Sequence, residues 1–97
     1  MKVLVKDRET LDKQLEEFIE TVNSKGGFPA EEGFLSESGL RESSANVYDF
    51  VAGKELEVEK IFFKDGSGFR YSFPWFFDGK QYYGSLDETE VEKELCE

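Results

Sequence analysis

From Phe69 onward every second residue is aromatic: Phe69, Tyr71, Phe73, Trp75 and Phe77, separated by Arg70, Ser72, Pro74 and Phe76. Side chains alternate across a strand, so this spacing predicts one strand with five rings on a single face that must be covered. Asp78-Gly79 follows directly, the dipeptide favoured in a two-residue type I′ hairpin because both central residues need positive φ. The turn sets a register of Phe77 with Lys80, Trp75 with Tyr82, Phe73 with Gly84 and Tyr71 with Leu86. A ring opposite Gly84 covers backbone that glycine leaves bare.

Upstream, Lys64-Asp65-Gly66-Ser67-Gly68 reads as a second hairpin loop. Pairing Lys64 with Phe69 sets Phe62 against Tyr71, Val58 against Trp75 and Leu56 against Phe77, all on the ring-bearing face. A slip of one residue brings in Glu57, Glu59, Ile61 and Phe63 instead, which buries less apolar surface. Lys60 then falls opposite Phe73, where it must snorkel or turn out at a bulge.

Val3-Leu4-Val5 between lysines predicts a short first strand. Asp7 suits a helix N-cap, and Leu11, Leu15, Phe18, Ile19 and Val22 form the apolar stripe of an amphipathic helix ending near Gly26 or Gly27. That stripe is the natural cover for the aromatic face. Residues 27–42 lack a sustained period and read as a long loop, pegged by Phe28, Phe34, Leu35 and Leu40. Residues 43–53 fit either a strand or a short helix capped by Ser43 or Ser44, and the alternation around Val47, Asp49 and Val51 favours the strand. Ser85-Leu86-Asp87-Glu88 matches a capping box, predicting a short C-terminal helix that docks through Val91 and Leu95. The expected fold is α+β, one domain over residues 1–97. It has an antiparallel three- or four-stranded meander, the N-terminal helix on one face and the short helix at the end.

Composition narrows the chemistry. Of 97 residues, 22 are acidic and 12 basic, a formal net charge of -10. The excess of acid lies in residues 31–60 and 81–97, each with a net charge of -5, whereas Lys64, Arg70 and Lys80 outnumber Asp65 and Asp78 in residues 61–80. Such a charge disfavours nucleic acid and anionic membranes and favours a basic protein partner. Three cations are too few for a single-strand-binding aromatic platform, so direct nucleic-acid binding is not expected. Histidine is absent, which removes the commonest general base and metal ligand, and no metal or other cofactor is expected. Cys96 is the lone cysteine, so no internal disulfide forms. The Gly66-Ser67-Gly68 loop lacks the lysine and helix of a phosphate cradle. No stretch reaches membrane-spanning length, and Met1–Lys6 holds too short an apolar run for a signal peptide, so a cytoplasmic protein is expected.

Two candidate surfaces remain. Glu55, Glu57 and Glu59 alternate with Leu56 and Val58, which predicts a row of carboxylates about 6.7 Å apart along one strand. With Asp87, Glu88, Glu90, Glu92 and Glu94 they form a phosphate-like surface for a basic, nucleic-acid-binding protein. The alternative is a solvated face kept charged against edge pairing. The second surface is the outer apolar set Ile61, Phe63, Phe76 and Tyr83, which calls for cover by the 27–42 loop, by a second copy, or by a partner. The function expected is therefore a non-enzymatic inhibitor or adaptor docking on a basic partner. The alternative is an oligomerising or ligand-binding domain in which acidity serves solubility only.

Overall fold

The computed structural model describes residues 1–95; Cys96 and Glu97 lie outside the described residues. Six strands and two helices follow one another as β1 (Lys2–Val5), α1 (Arg8–Ser24), α2 (Glu37–Val51), β2 (Glu55–Glu57), β3 (Glu59–Phe62), β4 (Phe69–Phe77), β5 (Lys80–Leu86) and β6 (Val91–Leu95). They build two antiparallel three-stranded sheets, ordered β2-β1-β6 and β3-β4-β5, an α+β arrangement.

Helix α1 starts where Asp7 accepts a 2.8 Å hydrogen bond from the Thr10 amide, satisfying one donor left free at the helix start. It ends where Gly26 and Gly27 take positive φ and the Gly27 amide returns to the Val22 carbonyl. Leu11 and Ile19 on its stripe are buried, while Phe18 stays exposed.

The segment expected to hold a strand at 43–53 is instead the body of α2. Leu40, Ser44, Val47, Tyr48 and Val51 recur at helical spacing, and Tyr48 and Val51 are buried. The signal that decides it is Ser36, which accepts from the Gly39 amide at 3.0 Å and donates to the Gly33 carbonyl at 2.6 Å. This cap lies inside the stretch read as loop, so residues 37–42 belong to the helix and the loop is shorter than expected. Helix α2 lies against β4, and α1 packs on α2. Two ion pairs tie the helices, Arg41 to Glu16 and Arg8 to Asp49.

The register of β3 on β4 also differs. Phe62 pairs with Phe69 and Lys60 with Tyr71, two residues away from the expected alignment. The cause is a longer loop. Asp65 accepts from both the amide and the hydroxyl of Ser67, the Gly66 amide closes on the Phe63 carbonyl, and Phe63 leaves the strand. A two-residue shift keeps every side chain on its expected face. Val58 does not reach Trp75, because its amide bonds the Met1 carbonyl at 2.8 Å and the chain changes sheets there. Leu56 accordingly pairs with Val3, not Phe77.

The C-terminal segment departs most from expectation. Asp87, rather than Ser85, caps a single 3₁₀ turn at Glu88–Glu90, with the Glu90 carboxylate reaching back to the Asp87 amide at 2.9 Å. Val91–Leu95 then extends as a strand beside β1, with Val91 buried opposite Val5. One turn is too short to continue as helix without a second apolar layer, and the free edge of β1 offers ladder bonds instead.

The core draws on both helices, on β1, β4, β5 and β6, and on Val58 between β2 and β3: Val3, Val5, Leu11, Tyr48, Val51, Val58, Tyr71, Phe73, Leu86 and Val91 form one buried cluster.

Candidate interaction surface

The β4–β5 ribbon is fixed by its turn. Asp78 at φ 52° and Gly79 at φ 75° are both left-handed, as a type I′ hairpin requires, and the strands pair from Phe77 with Lys80 through to Tyr71 with Leu86. Phe73 lies over Gly84 so closely that a Cβ there would sit 3.1 Å from its Cζ. Along the ring-bearing face burial peaks at Tyr71 and Phe73 and falls from there toward the tip. Tyr71 and Phe73 are buried, Phe69 and Trp75 are half-buried, and Phe77 is 46% exposed. Trp75 stays in contact with Tyr82 and Phe77, at ring-centroid distances of 5.4 and 6.1 Å. The far half of the ribbon thus projects beyond the core.

The outer face carries the expected apolar set. Ile61, Phe63, Phe76 and Tyr83 are 51%, 44%, 58% and 76% exposed. The 27–42 loop does not cover them, and its own Phe34 is 88% exposed. Ile61, Phe63 and Tyr83 line a shallow depression of ≈ 320 Å³ together with Arg70 and Ser72, and Phe76 stands toward the tip. Arg70 crosses this face, donating from Nε to the Ser85 hydroxyl at 2.8 Å and from Nη2 to the Ser85 carbonyl at 3.4 Å.

The carboxylates do not form the single row expected. Glu55 and Glu57 stand on β2 and Glu59 on β3, so the row divides between two sheets at Val58. Glu57 pairs with the Met1 amine at 3.0 Å. Glu90 accepts from the Tyr48 hydroxyl at 3.0 Å and caps the 3₁₀ turn, which makes it an internal stitch. Glu94 is another stitch, joining the two sheets by accepting from Lys60 at 2.8 Å and from the Tyr71 hydroxyl at 2.8 Å. Asp87, Glu88 and Glu92 remain exposed. Lys60 therefore neither snorkels away nor bulges out. It pairs with Glu94 and lies 4.6 Å from the Phe69 ring centre.

Lys60, then Tyr71, holds the Glu94 carboxyl below the usual carboxylate range. Burial, reinforced by Glu94, pushes the Tyr71 phenol up to about 12, and burial with Glu90 raises Tyr48 as well. Phenols neutral in the fold but ionising near pH 10 when unfolded contribute stability that is complete below pH ~10 and is lost as pH rises toward ~12. Chemical unfolding at several alkaline pH values should show this decline. Tyr71→Phe should make the slope shallower, and an unchanged slope would separate Tyr71 from the effect.

A second opening, a cleft of ≈ 360 Å³, lies between the helices and the end of β5, lined by Leu15, Phe18, Val47 and Tyr48. Its cation, Arg70, is engaged by Ser85 and lies 3.9 Å from Glu90, so the cleft presents no unengaged anion anchor. Among the described residues no cluster of three or more acidic or cysteine side chains is arranged to hold a metal ion. No helix among the described residues is long and apolar enough to cross a membrane. Comparison with protein-family models, curated proteins and solved structures finds no match to this chain.

Proposed function

We propose that this protein acts by binding another protein, with the outer face of the β3–β4–β5 sheet as the contact and surrounding carboxylates selecting a basic partner. The observation that carries the reading is the exposure of Ile61, Phe63, Phe76 and Tyr83 on that face. Large apolar groups gathered in water on one face are the pattern of an interaction site, and aromatic anchors supply most of the affinity in such contacts. Glu59 begins β3 on the same face, and Asp87 and Glu88 follow β5 directly. Glu55, Glu57 and Glu92 add to the negative field that steers a basic partner, under a net charge of -10.

In this reading the protein is an inhibitor or adaptor without catalysis of its own. It covers its partner's basic surface, including one that otherwise meets nucleic acid. Phosphate mimicry falls to the exposed Glu55, Glu59, Asp87, Glu88 and Glu92, because Glu57 pairs with the Met1 amine and Glu90 and Glu94 are engaged internally. The cytoplasm suits a lone thiol, which stays reduced there.

The test is affinity capture from extract of the source cell at low and high salt. Ile61→Ser combined with Tyr83→Ser should lose the captured protein at both. Glu55→Gln, Glu57→Gln and Glu59→Gln together should weaken capture at low salt, where surface charge acts over the longest range. Capture by both variants equal to that of the original chain would remove the basis of the proposal.

A further inference from the structure

We propose that two copies of this chain associate through the free edge of β5, joining their β3–β4–β5 sheets into one six-stranded sheet. In the observed register, closed by Phe77 with Lys80, the hydrogen-bonded pairs to β4 fall at Lys80, Tyr82, Gly84 and Leu86. The backbone groups of Gln81, Tyr83 and Ser85 therefore point away from β4. The Ser85 carbonyl is taken by Arg70, whereas the Gln81 and Tyr83 amides and carbonyls have no hydrogen-bond partner among the described residues.

Every other sheet edge among the described residues is protected. Strand β2 is three residues long and carries Glu55 and Glu57, β6 carries Glu92, Lys93 and Glu94, and β3 is four residues with Glu59 and Lys60. Where β4 runs past β3, Pro74 removes a donor from the exposed side. Strand β5 has seven residues, no proline, no break in its ladder and one charge, Lys80. An edge left this way is a template for another strand.

Charge placement identifies that strand as a second copy. The chain carries -10, but the ribbon's charges are Arg70, Asp78 and Lys80, so this is where two like-charged molecules can meet. Strand β5 itself carries no carboxylate to draw a basic partner to its edge. The strand is also self-complementary. In an antiparallel two-fold alignment centred on Tyr82, Gln81 and Tyr83 exchange backbone bonds reciprocally with Tyr83 and Gln81 of the second copy. Each lysine falls opposite Gly84. The two lysines are then about 14 Å apart along the strands, beyond the Debye length of about 8 Å. Ser85, engaged by Arg70, is not needed. The two Tyr82 rings meet on the face that holds Trp75 and Phe77. This association stands apart from binding of a basic partner, and either can fail without the other.

The test is sedimentation of the full chain across a wide concentration range, with amide hydrogen exchange at the two ends of that range. A dimer mass is expected at high concentration, dissociating on dilution, with the Gln81 and Tyr83 amides protected only in the dimer. Gln81→Pro removes an outward amide that the β4 ladder does not use, and it should give a folded monomer. Tyr83→Lys adds two positive charges at the contact and should also give a monomer. A monomer mass at every concentration would overturn the proposal, as would a dimer that persists in Tyr83→Lys with the Gln81 amide still exchanging freely.

Discussion

Phe73→Ala is expected to lower folding stability by about 3–5 kcal/mol, the range for removing a fully buried phenylalanine ring. Phe73 is 1% exposed, sits in the cluster that draws on both sheets and both helices, and covers the backbone at Gly84. Its loss leaves a void that rigid neighbours cannot close, since Gly84 has no side chain to move in. Domains of this kind are stable by only about 5–15 kcal/mol, so much of the margin goes with one ring. Phe77→Ala removes the same atoms four residues along the strand, at a position 46% exposed, and should cost far less. Urea unfolding of the two variants provides the comparison. Equal losses would mean that the gradient of burial along β4 is not how the ribbon is held.

Gly39→Ala should be the second severe change, by about 1–3 kcal/mol, although alanine is the better helix former. A Cβ at position 39 would lie 2.1 Å from the Gly33 carbonyl oxygen, a backbone atom that cannot swing aside. That carbonyl accepts from both the Ser36 amide and the Ser36 hydroxyl, while Ser36 itself, buried, caps α2. Displacing it undoes the loop's return and the helix start together. Thermal unfolding followed by circular dichroism checks this. A variant as stable as the original chain would show that the loop has room to yield.

What could be read from the chain beforehand was what neighbouring residues decide between themselves. Asp78-Gly79 dictates a two-residue turn, and the turn dictates the β4–β5 register. Asp7 and the Leu11–Val22 stripe are likewise a local helix with its own cap. The errors came where distant residues compete for the same segment. Val47 to Val51 alternates acceptably for a strand, and only Ser36, eleven residues earlier, sets the helical phase. Val91 to Leu95 reads as helix because the capping turn before it is genuine. Its extended fate depends on β1, at the other end of the chain. The acidic row failed for a related reason, since Val58 is claimed by Met1 and the chain crosses between sheets in the middle of the row. The roles of Glu90 and Glu94 are hidden in the sequence because their partners, Tyr48, Tyr71 and Lys60, lie far away along the chain. Ile61, Phe76 and Tyr83 are legible as one outer face because strand alternation alone assigns residues to faces.

The middle strand of the smaller sheet, Lys2–Val5, is flanked by Glu55–Glu57 and Val91–Leu95. On the ribosome one of its neighbours is made about ninety residues after it. Until then Val3 and Val5 have no lasting shelter, and the nascent chain carries an apolar strand that other sticky segments can capture. Contacts so remote in sequence also slow the search for the native arrangement, whereas the β3–β4–β5 hairpins form between neighbours. A chain stopped just before Val91 would keep both helices' sequences and the whole aromatic ribbon and still lack the partner that closes its first strand.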